Sequence, residues 1–310
     1  MKAVRYHSYG DSDVLVHEEA ERPEAAAGQV VIEVAASAFS PLDLAIRAGL
    51  MREVFPVAFP HIPNYDVSGV VVELGEGVSG WSLGDRVVAF LPATAPGGAA
   101  EYVAASAELL AAAPREVDLV DAAALPSVAL TARESLFEHA ELEAGQSILI
   151  NGAGGAVGGY AVQLAARAGA SVTATASERS AERLRSYGAD EIVDHTATPV
   201  TEALAGRRFD AVLNLVRTDP EATARLADLV ADGGAFVSTT GPGPEEPGRG
   251  VRTAQVFVRG DAARLAELVA DVDRGELRIH VAERRPLSEL AEVHDAAVSG
   301  RLPGKTVLVP

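Results

Sequence analysis

The sequence predicts an α/β protein of two domains. One is strand-rich, a small barrel or sandwich; the other is a doubly wound parallel sheet covered by helices. Three observations predict this. The chain has 310 residues, too many for one simple core. Its first third is a run of short β-branched segments punctuated by glycine. Its middle alternates strand-like and helix-like segments, and the first strand and helix of that alternation are joined by "NGAGGAVGG", a turn almost stripped of side chains.

In chain order, "QVVIEVAASAF" reads as a strand from its β-branched residues. "DVSGVVVELGEGV" is a strand followed by a Gly-rich turn, "LGDRVVAF" a turn entering a strand, and "GGAAEYVAAS" continues in that style. The pattern changes near Asp121. "LVDAAALPSVALTARESLFEHA" is helix-like and is broken once at Pro126, which lacks an N–H and clashes with the preceding turn. From Gln146 the strands "SILING", "SVTATAS", "EIVDH", "FDAVLNLV" and "GAFVSTTG" are interleaved with helices at "VGGYAVQLAARAG", "SAERLRSYG" and "EATARLADLVADG". Residues 241–250, "GPGPEEPGRG", are too rich in Pro and Gly for regular structure and read as a loop. The tail gives a strand in "AQVFVRG", helices in "DAARLAELVADVDRG" and "LSELAEVHDAAVSG", and a last strand in "KTVLVP".

Composition narrows the function. There is no cysteine, which removes disulfides, thiolate zinc sites and a cysteine nucleophile together. The formal net charge of −18 repels nucleic acid and anionic membranes. Lysine occurs only at Lys2 and Lys305, so arginine carries the positive charge. The N-terminus "MKAVRYHSYG" lacks an apolar signal-peptide core, and no uncharged stretch reaches the length of a membrane span. The expectation is a soluble cytoplasmic protein acting on a small molecule, with neither nucleic acid nor membrane as partner.

Gly152, Gly155 and Gly158, with Gly154 and Gly159 beside them, follow a strand and open a helix. That helix is credible because Val157, Ala161, Leu164, Ala165 and Ala168 share one face. Glycine there allows a tight turn, close packing of helix on strand, and approach of the backbone to a pyrophosphate. The first N–H groups of the helix, at Ala156 and Val157, then face phosphate with the helix dipole behind them. Strand before, helix after and a second strand beyond give the motif its dinucleotide-binding context. An NAD site usually carries Asp or Glu at the end of the second strand. Here that strand ends "TATASERS", with Ala176 and Ser177 in the acid's place and Arg179 close behind. A hydroxyl and a guanidinium suit a 2′-phosphate, so the expected cofactor is NADPH.

The stretch "ILINGAGGAVGGYAVQLAARAGASVTATAS", together with "FSPLDLAIRAGL", "PNYDVSGVVVELGEGV", "GDRVVAF", "GGAAEYV", "LPSVALTA" and the terminal "LPGKTVLV", resembles the zinc-independent quinone oxidoreductase branch of the medium-chain dehydrogenase/reductases, the zeta-crystallin-like enzymes. The resemblance spans nearly the whole chain. It implies a GroES-like β-barrel domain at residues 1–120, completed by 260–310, and a Rossmann NADP-binding domain at 121–259, with the cofactor between them and a homodimer as the family habit. By resemblance Thr131 lies beside the cofactor, and Ser177 and Arg179 match the 2′-phosphate pocket. His195 stands where the family often has a tyrosine lining that pocket, either bonding phosphate or ending a strand. Asn214 and Val216 occupy the strand end beneath the nicotinamide ribose, and Thr240 and Gly241 end the next strand. Phe257 and Val258 match backbone that meets the carboxamide. Lys305 matches a lysine that closes on the cofactor, or else is a solvated lysine at a strand start.

Some residues depart from the family. Ser40 replaces the usual asparagine and so stands at the cofactor and the substrate, Asn64 replaces a glycine, and Ala45 and Met51 replace tyrosines of bacterial quinone reductases. In the related zinc alcohol dehydrogenases the positions of Ser40 and Tyr65 hold the first two catalytic ligands. Neither residue here is cysteine or histidine, no HxH or HExxH spacing occurs, and His61 has no partner in sequence. No zinc is expected. Without a Lewis acid, an electron-poor conjugated acceptor is easier to reduce than an isolated carbonyl. The expected reaction is therefore NADPH-dependent hydride transfer to a quinone or an α,β-unsaturated carbonyl, in an apolar surrounding of Leu42, Met51, Phe55 and Phe59. Tyr65, or water, protonates the product, and Ser40 bonds the substrate oxygen. A zinc-independent reductase of ketones or aldehydes and a non-catalytic NADPH-binding protein are the alternatives.

Overall fold

The computed structural model describes residues 1–245 and 248–310, so the loop expected at 241–250 falls outside the described residues at Glu246 and Pro247. The chain forms two compact units, Met1–Ser127 with Arg259–Pro310, and Val128–Val258.

The first unit opens with β1 (Lys2–Arg5) and β2 (Val16–Glu19), an antiparallel pair. There follow β3 (Gln29–Ala38), α1 (Pro41–Arg47), β4 (Asp66–Leu74), β5 (Arg86–Phe90), β6 (Tyr102–Ser106), β7 (Leu110–Ala112) and the short α2 (Leu119–Ala122). α3 (Pro126–Glu134) starts at the proline expected to break the helical stretch. A proline costs nothing at a first turn, where its missing N–H has no partner to lose. α1 was not expected from periodicity. It is set by a capping box: Ser40 Oγ accepts from the Leu42 N–H at 3.3 Å, and Asp43 Oδ2 accepts from the Ser40 N–H at 2.8 Å, with Pro41 as the first helical residue.

The second unit runs β8 (Ser147–Asn151), α4 (Ala156–Arg167), β9 (Ser171–Ala176), α5 (Glu178–Ser186), β10 (Glu191–Asp194), α6 (Val200–Ala203), β11 (Phe209–Asn214), α7 (Pro220–Ala227), β12 (Val230–Ser238) and β13 (Arg252–Gln255). The chain then returns to the first unit with α8 (Ala262–Asp273), β14 (Glu283–Pro286), α9 (Leu290–Val298) and β15 (Thr306–Val309).

The first unit's main sheet has the order β14-β15-β3-β4-β5-β7, with β6 also on β3. β15 pairs antiparallel with β3, Val307 facing Ala38, so the two ends of the chain complete one sheet. Residues 121–127, read from the sequence as the start of the second domain, lie with the first unit because α2 packs on β3, β4 and β15. The second unit's sheet is parallel throughout, in the order β10-β9-β8-β11-β12-β13. Its inner strands β8, β9 and β11 are buried on both faces, and Leu149, Val212, Val230 and Phe236 anchor one of the helix layers. The chain moves outward from β8 to β9 and β10, then returns to the other side of β8 for β11. That reversal makes the carboxyl ends of β8 and β11 the switch point where an open α/β sheet takes its ligand. The strand expected at "AQVFVRG" stops at Gln255. β12 ends at Ser238, whose carbonyl takes one last N–H from Val256 at 2.9 Å, and the ladder gives Phe257 no partner among the described residues.

Candidate functional site

The glycine turn sits at the switch point. Gly152 has φ +87°, and a Cβ there would lie 2.7 Å from Val216 Cγ2. A Cβ on Gly158 would lie 2.4 Å from the Ala153 Cα. The fold itself demands both glycines. Gly155 differs: its φ is −76°, and a Cβ would meet only the Gly152 carbonyl at 3.4 Å, an ordinary contact. Gly155 caps α4 without a side chain, and the N–H groups of Ala156 and Val157 take no partner within the described residues. Gly155, which the fold does not require, thus bares a helix N-terminus, which is the cradle a pyrophosphate requires. Gly154 keeps Ser180 close, its would-be Cβ lying 2.7 Å from Ser180 Oγ.

Ala176 ends β9 and is buried, and Ser177 caps α5 without bonding the helix, which leaves its hydroxyl for another partner. Arg179 is exposed and forms no ion pair among the described residues. Asp194 pairs with Ala176, and the His195 N–H donates to the Ala176 carbonyl at 3.3 Å. The structure therefore brings Ser177, Arg179 and His195 to one end of the β9–β10 pair. Sequence reasoning missed Arg183, one turn beyond Arg179. Its Nη2 donates to the Gly154 carbonyl at 2.9 Å, and its guanidinium lies 5.9 Å from the Tyr187 ring centre.

On the other side of the switch point, Val216 and Phe257 are 42% and 55% exposed, uncommon for large apolar residues. Val258 is half-buried, and the backbone of Phe257 and Val258 lies beyond the last ladder bond. Thr240 Oγ1 donates to the Val216 carbonyl at 2.9 Å, and Gly241 has open space at its Cβ position. Thr131 is buried on α3. Asn214 corrects expectation. Its Oδ1 accepts from Asn151 Nδ2 at 2.9 Å and its Nδ2 donates to the Val216 carbonyl at 3.0 Å, so the side chain is consumed internally and cannot face a ligand.

In the first unit, Ser40 is half-buried at the start of α1. Its Oγ accepts a backbone bond and keeps its own proton to donate. Leu42, Met51 and Phe55 are half-buried and Phe59 is 41% exposed, so the segment around α1 presents apolar surface. Phe59 packs edge-on against Tyr9 and Tyr6, at 4.9 and 5.8 Å between ring centres.

Tyr65 is corrected as well. It is 2% exposed, and its hydroxyl faces His61 Nε2 at 3.2 Å. Burial, with the charge of Asp43, raises the phenol's pKa well above its ordinary value, while burial holds His61 neutral, its pKa lowered to about 4. This is a desolvated pair in the wall, not an exposed acid. His61, without a partner in sequence, has one in space. Lys305 is neither solvated nor free to close on a ligand: it is 6% exposed, and its Nζ donates to Asp66 Oδ2 at 2.8 Å and to the Phe39 carbonyl at 3.2 Å. Asp66 is also bonded by the Ser127 N–H and hydroxyl, at 2.7 and 2.6 Å. Asp43, beneath Ser40, accepts N–H bonds from Ser40 and Asn64; burial nonetheless pushes its pKa up to about 7. Asn64, standing in a glycine's place, has φ +67°, a conformation asparagine tolerates better than most residues.

Among the described residues no group of three or more His, Cys, Asp or Glu side chains is placed to hold a metal, and no helix is long and apolar enough to cross a membrane. The donor set does not fit zinc. Ser40 is a helix cap, Tyr65 is a buried phenol bonded to His61, and the chain has no cysteine.

Comparison with known proteins agrees with the fold of the two units. A family described as alcohol dehydrogenase GroES-like domain matches residues 26–115, and one described as zinc-binding dehydrogenase matches 187–308. A chloroplast envelope quinone oxidoreductase homolog of Arabidopsis thaliana is 33% identical, covering 100% of this chain and 98% of that protein. A chloroplastic NADPH-dependent alkenal/one oxidoreductase of the same plant is 34% identical, covering 100% and 80%. A mycobacterial protein solved as a complex with NADPH superposes with a TM-score of 0.86 at 27% identity, covering 100% of both chains.

Proposed function

The chain belongs to the medium-chain dehydrogenase/reductase superfamily, and from that premise we propose how its own residues run the reaction. It is an NADPH-dependent oxidoreductase that passes a hydride to a quinone or an α,β-unsaturated carbonyl, as its relatives' names indicate. The observation that carries the reading is Gly155, bare although the fold does not require it, above unpaired N–H groups.

The glycine turn takes the pyrophosphate. Ser177, Arg179 and His195 take the adenosine 2′-phosphate, where an acid would have repelled it. Val216, Thr240, Gly241, Phe257 and Val258 take the nicotinamide half, with Thr131 beside it. When bound, the dinucleotide supplies the hydride; the chain supplies position and a dry apolar surrounding. Ser40 donates its hydroxyl proton to the acceptor oxygen and so stabilises the charge that develops there. Leu42, Met51, Phe55 and Phe59 hold the apolar body of the acceptor. Tyr65 is wall, and water protonates the product.

We propose that no metal takes part, because the residues at the zinc positions of related dehydrogenases are a cap and a buried phenol. We also propose a cytoplasmic homodimer, with the edge strand β13 as a candidate pairing edge. NADPH oxidation measured across quinones, enones, enals and saturated ketones, with products identified and a chelator arm, tests the reading. Quinones and enones should turn over and the chelator should not inhibit. Turnover of saturated ketones alone, or activity lost to chelator and restored by zinc, would overturn it.

A further inference from the structure

Beneath the glycine turn, a file of hydrogen bonds crosses neighbouring strands and branches at Asn214, whose Oδ1 also accepts from the Val216 N–H at 3.3 Å and whose Nδ2 also donates to Thr218 Oγ1 at 3.4 Å. The Gly152 N–H donates to Thr175 Oγ1 at 2.8 Å. The Thr175 hydroxyl donates to Asn151 Oδ1 at 3.0 Å. Asn151 Nδ2 donates to Asn214 Oδ1 at 2.9 Å, and Asn214 Nδ2 donates to the Val216 carbonyl at 3.0 Å. That carbonyl also accepts from Thr240. The two ends are backbone groups of fixed sign: an N–H only donates and a carbonyl only accepts. They impose one direction on every hydroxyl and amide between them. Thr175, Asn151 and Asn214 are all buried, where an unmade bond is costly. Removal of one member therefore leaves its neighbours unpaired and free to turn.

We propose that Thr175, Asn151 and Asn214 are positioning residues that tie the two halves of the dinucleotide site together. The file begins in the turn that takes the 5′-phosphate and ends at the edge of β11 and β12. A dinucleotide spans this switch point, so that edge receives the half that the turn does not. Loss of the amide at Asn214 leaves Asn151 Nδ2 without its acceptor and the Val216 carbonyl with Thr240 alone, and frees the Asn151 side chain to turn away from Thr175, which holds the Gly152 N–H. Leucine at position 214 breaks the file, since it removes together the acceptor for Asn151 and the donor for the Val216 carbonyl. The inference rests on the cofactor reading above.

The test uses the full chain titrated with NADPH and, separately, with 2′,5′-ADP, which has the 5′-phosphate but no nicotinamide half. Asn214→Leu and Thr175→Val should each weaken NADPH about tenfold and 2′,5′-ADP about threefold, the scale of one buried hydrogen bond lost in whole or in part. Thr175→Ser, which keeps the hydroxyl, should bind as the unmutated protein does and shows that the site tolerates replacement. The double variant Thr175→Val/Asn214→Leu should be no weaker than the worse single variant, because one file is broken only once. Unchanged 2′,5′-ADP affinity in Asn214→Leu, or losses that add in the double variant, would overturn the inference alone. Failure of the unmutated protein to bind either nucleotide would overturn the cofactor reading and the inference with it.

Discussion

Two glycines three residues apart should respond oppositely to the same added methyl group. In Gly158→Ala the new Cβ would lie 2.4, 2.6 and 2.7 Å from the Cα, O and C of Ala153. Ordinary contact begins near 3.4 Å, so about 1 Å must be found, and all three neighbours are backbone of the turn itself. Overpacking of this kind costs roughly 1–3 kcal/mol or more. Against it stands the gain of roughly 1 kcal/mol from alanine's helix propensity. Because rigid backbone must move, the upper part of the range applies and the net loss is about 2 kcal/mol. At ~2–4 °C per kcal/mol, the melting temperature should fall by about 4–8 °C. In Gly155→Ala the Cβ meets only the Gly152 carbonyl at an ordinary 3.4 Å, with φ already at −76°. Stability should change by less than about 1 kcal/mol, the cost of a poorer helix cap. That methyl group, however, stands where phosphate must approach. Losing one charge-assisted bond, at about 1.5–3 kcal/mol, should weaken NADPH by roughly 10–100-fold. Thermal melts and calorimetric titration of the two variants decide the matter. Unaltered NADPH affinity in Gly155→Ala, or an unshifted melt in Gly158→Ala, would refute the reasoning.

Arg179→Ala should weaken NADPH by about 1–3 kcal/mol and leave NADH nearly unchanged, since its unpaired guanidinium is assigned to the 2′-phosphate; equal losses would detach it from that phosphate. Tyr65→Phe should change turnover only a few-fold, because the phenol is buried against His61; a fall of about 10²-fold or more would make it the general acid. His61 has a folded pKa of about 4 against 6.5 ordinarily, so the folded state binds fewer protons than the unfolded state between those values. Its contribution is present above pH 6.5 and is lost as the pH falls towards 4. Denaturation of the unmutated protein and His61→Gln at both ends of this window should show their stability gap shrinking on acidification by up to about 3 kcal/mol; a gap independent of pH would contradict the buried neutral imidazole.

The Rossmann half was legible because its signals are local. Glycine marks the turn, apolar periodicity marks the helix, and the missing acid after β9 marks the cofactor. Separating Gly155 from Gly152 and Gly158 took coordinates, since only the space at each Cβ tells an enforced glycine from an open one. α1 went unread although its capping box, Ser40 to Asp43, lies in the sequence; seven residues are too few for periodicity to speak. Asn214, Lys305 and Tyr65 read from the sequence as residues that face ligand or take part in chemistry. Their side chains are committed to Asn151, Asp66 and His61, partners distant by 63, 239 and 4 positions, and only the last lies within reach of a local pattern. Arg183 could have been found as the residue four beyond Arg179, on the same face of α5.

The central claim is that hydride goes to a conjugated acceptor. The direct measurement is turnover of an enone with NADPH deuterated at the transferred position, followed by locating the label. The account predicts deuterium on the β-carbon of a saturated ketone, with the α-hydrogen drawn from solvent. Deuterium on a carbinol carbon would contradict it and make the protein a carbonyl reductase.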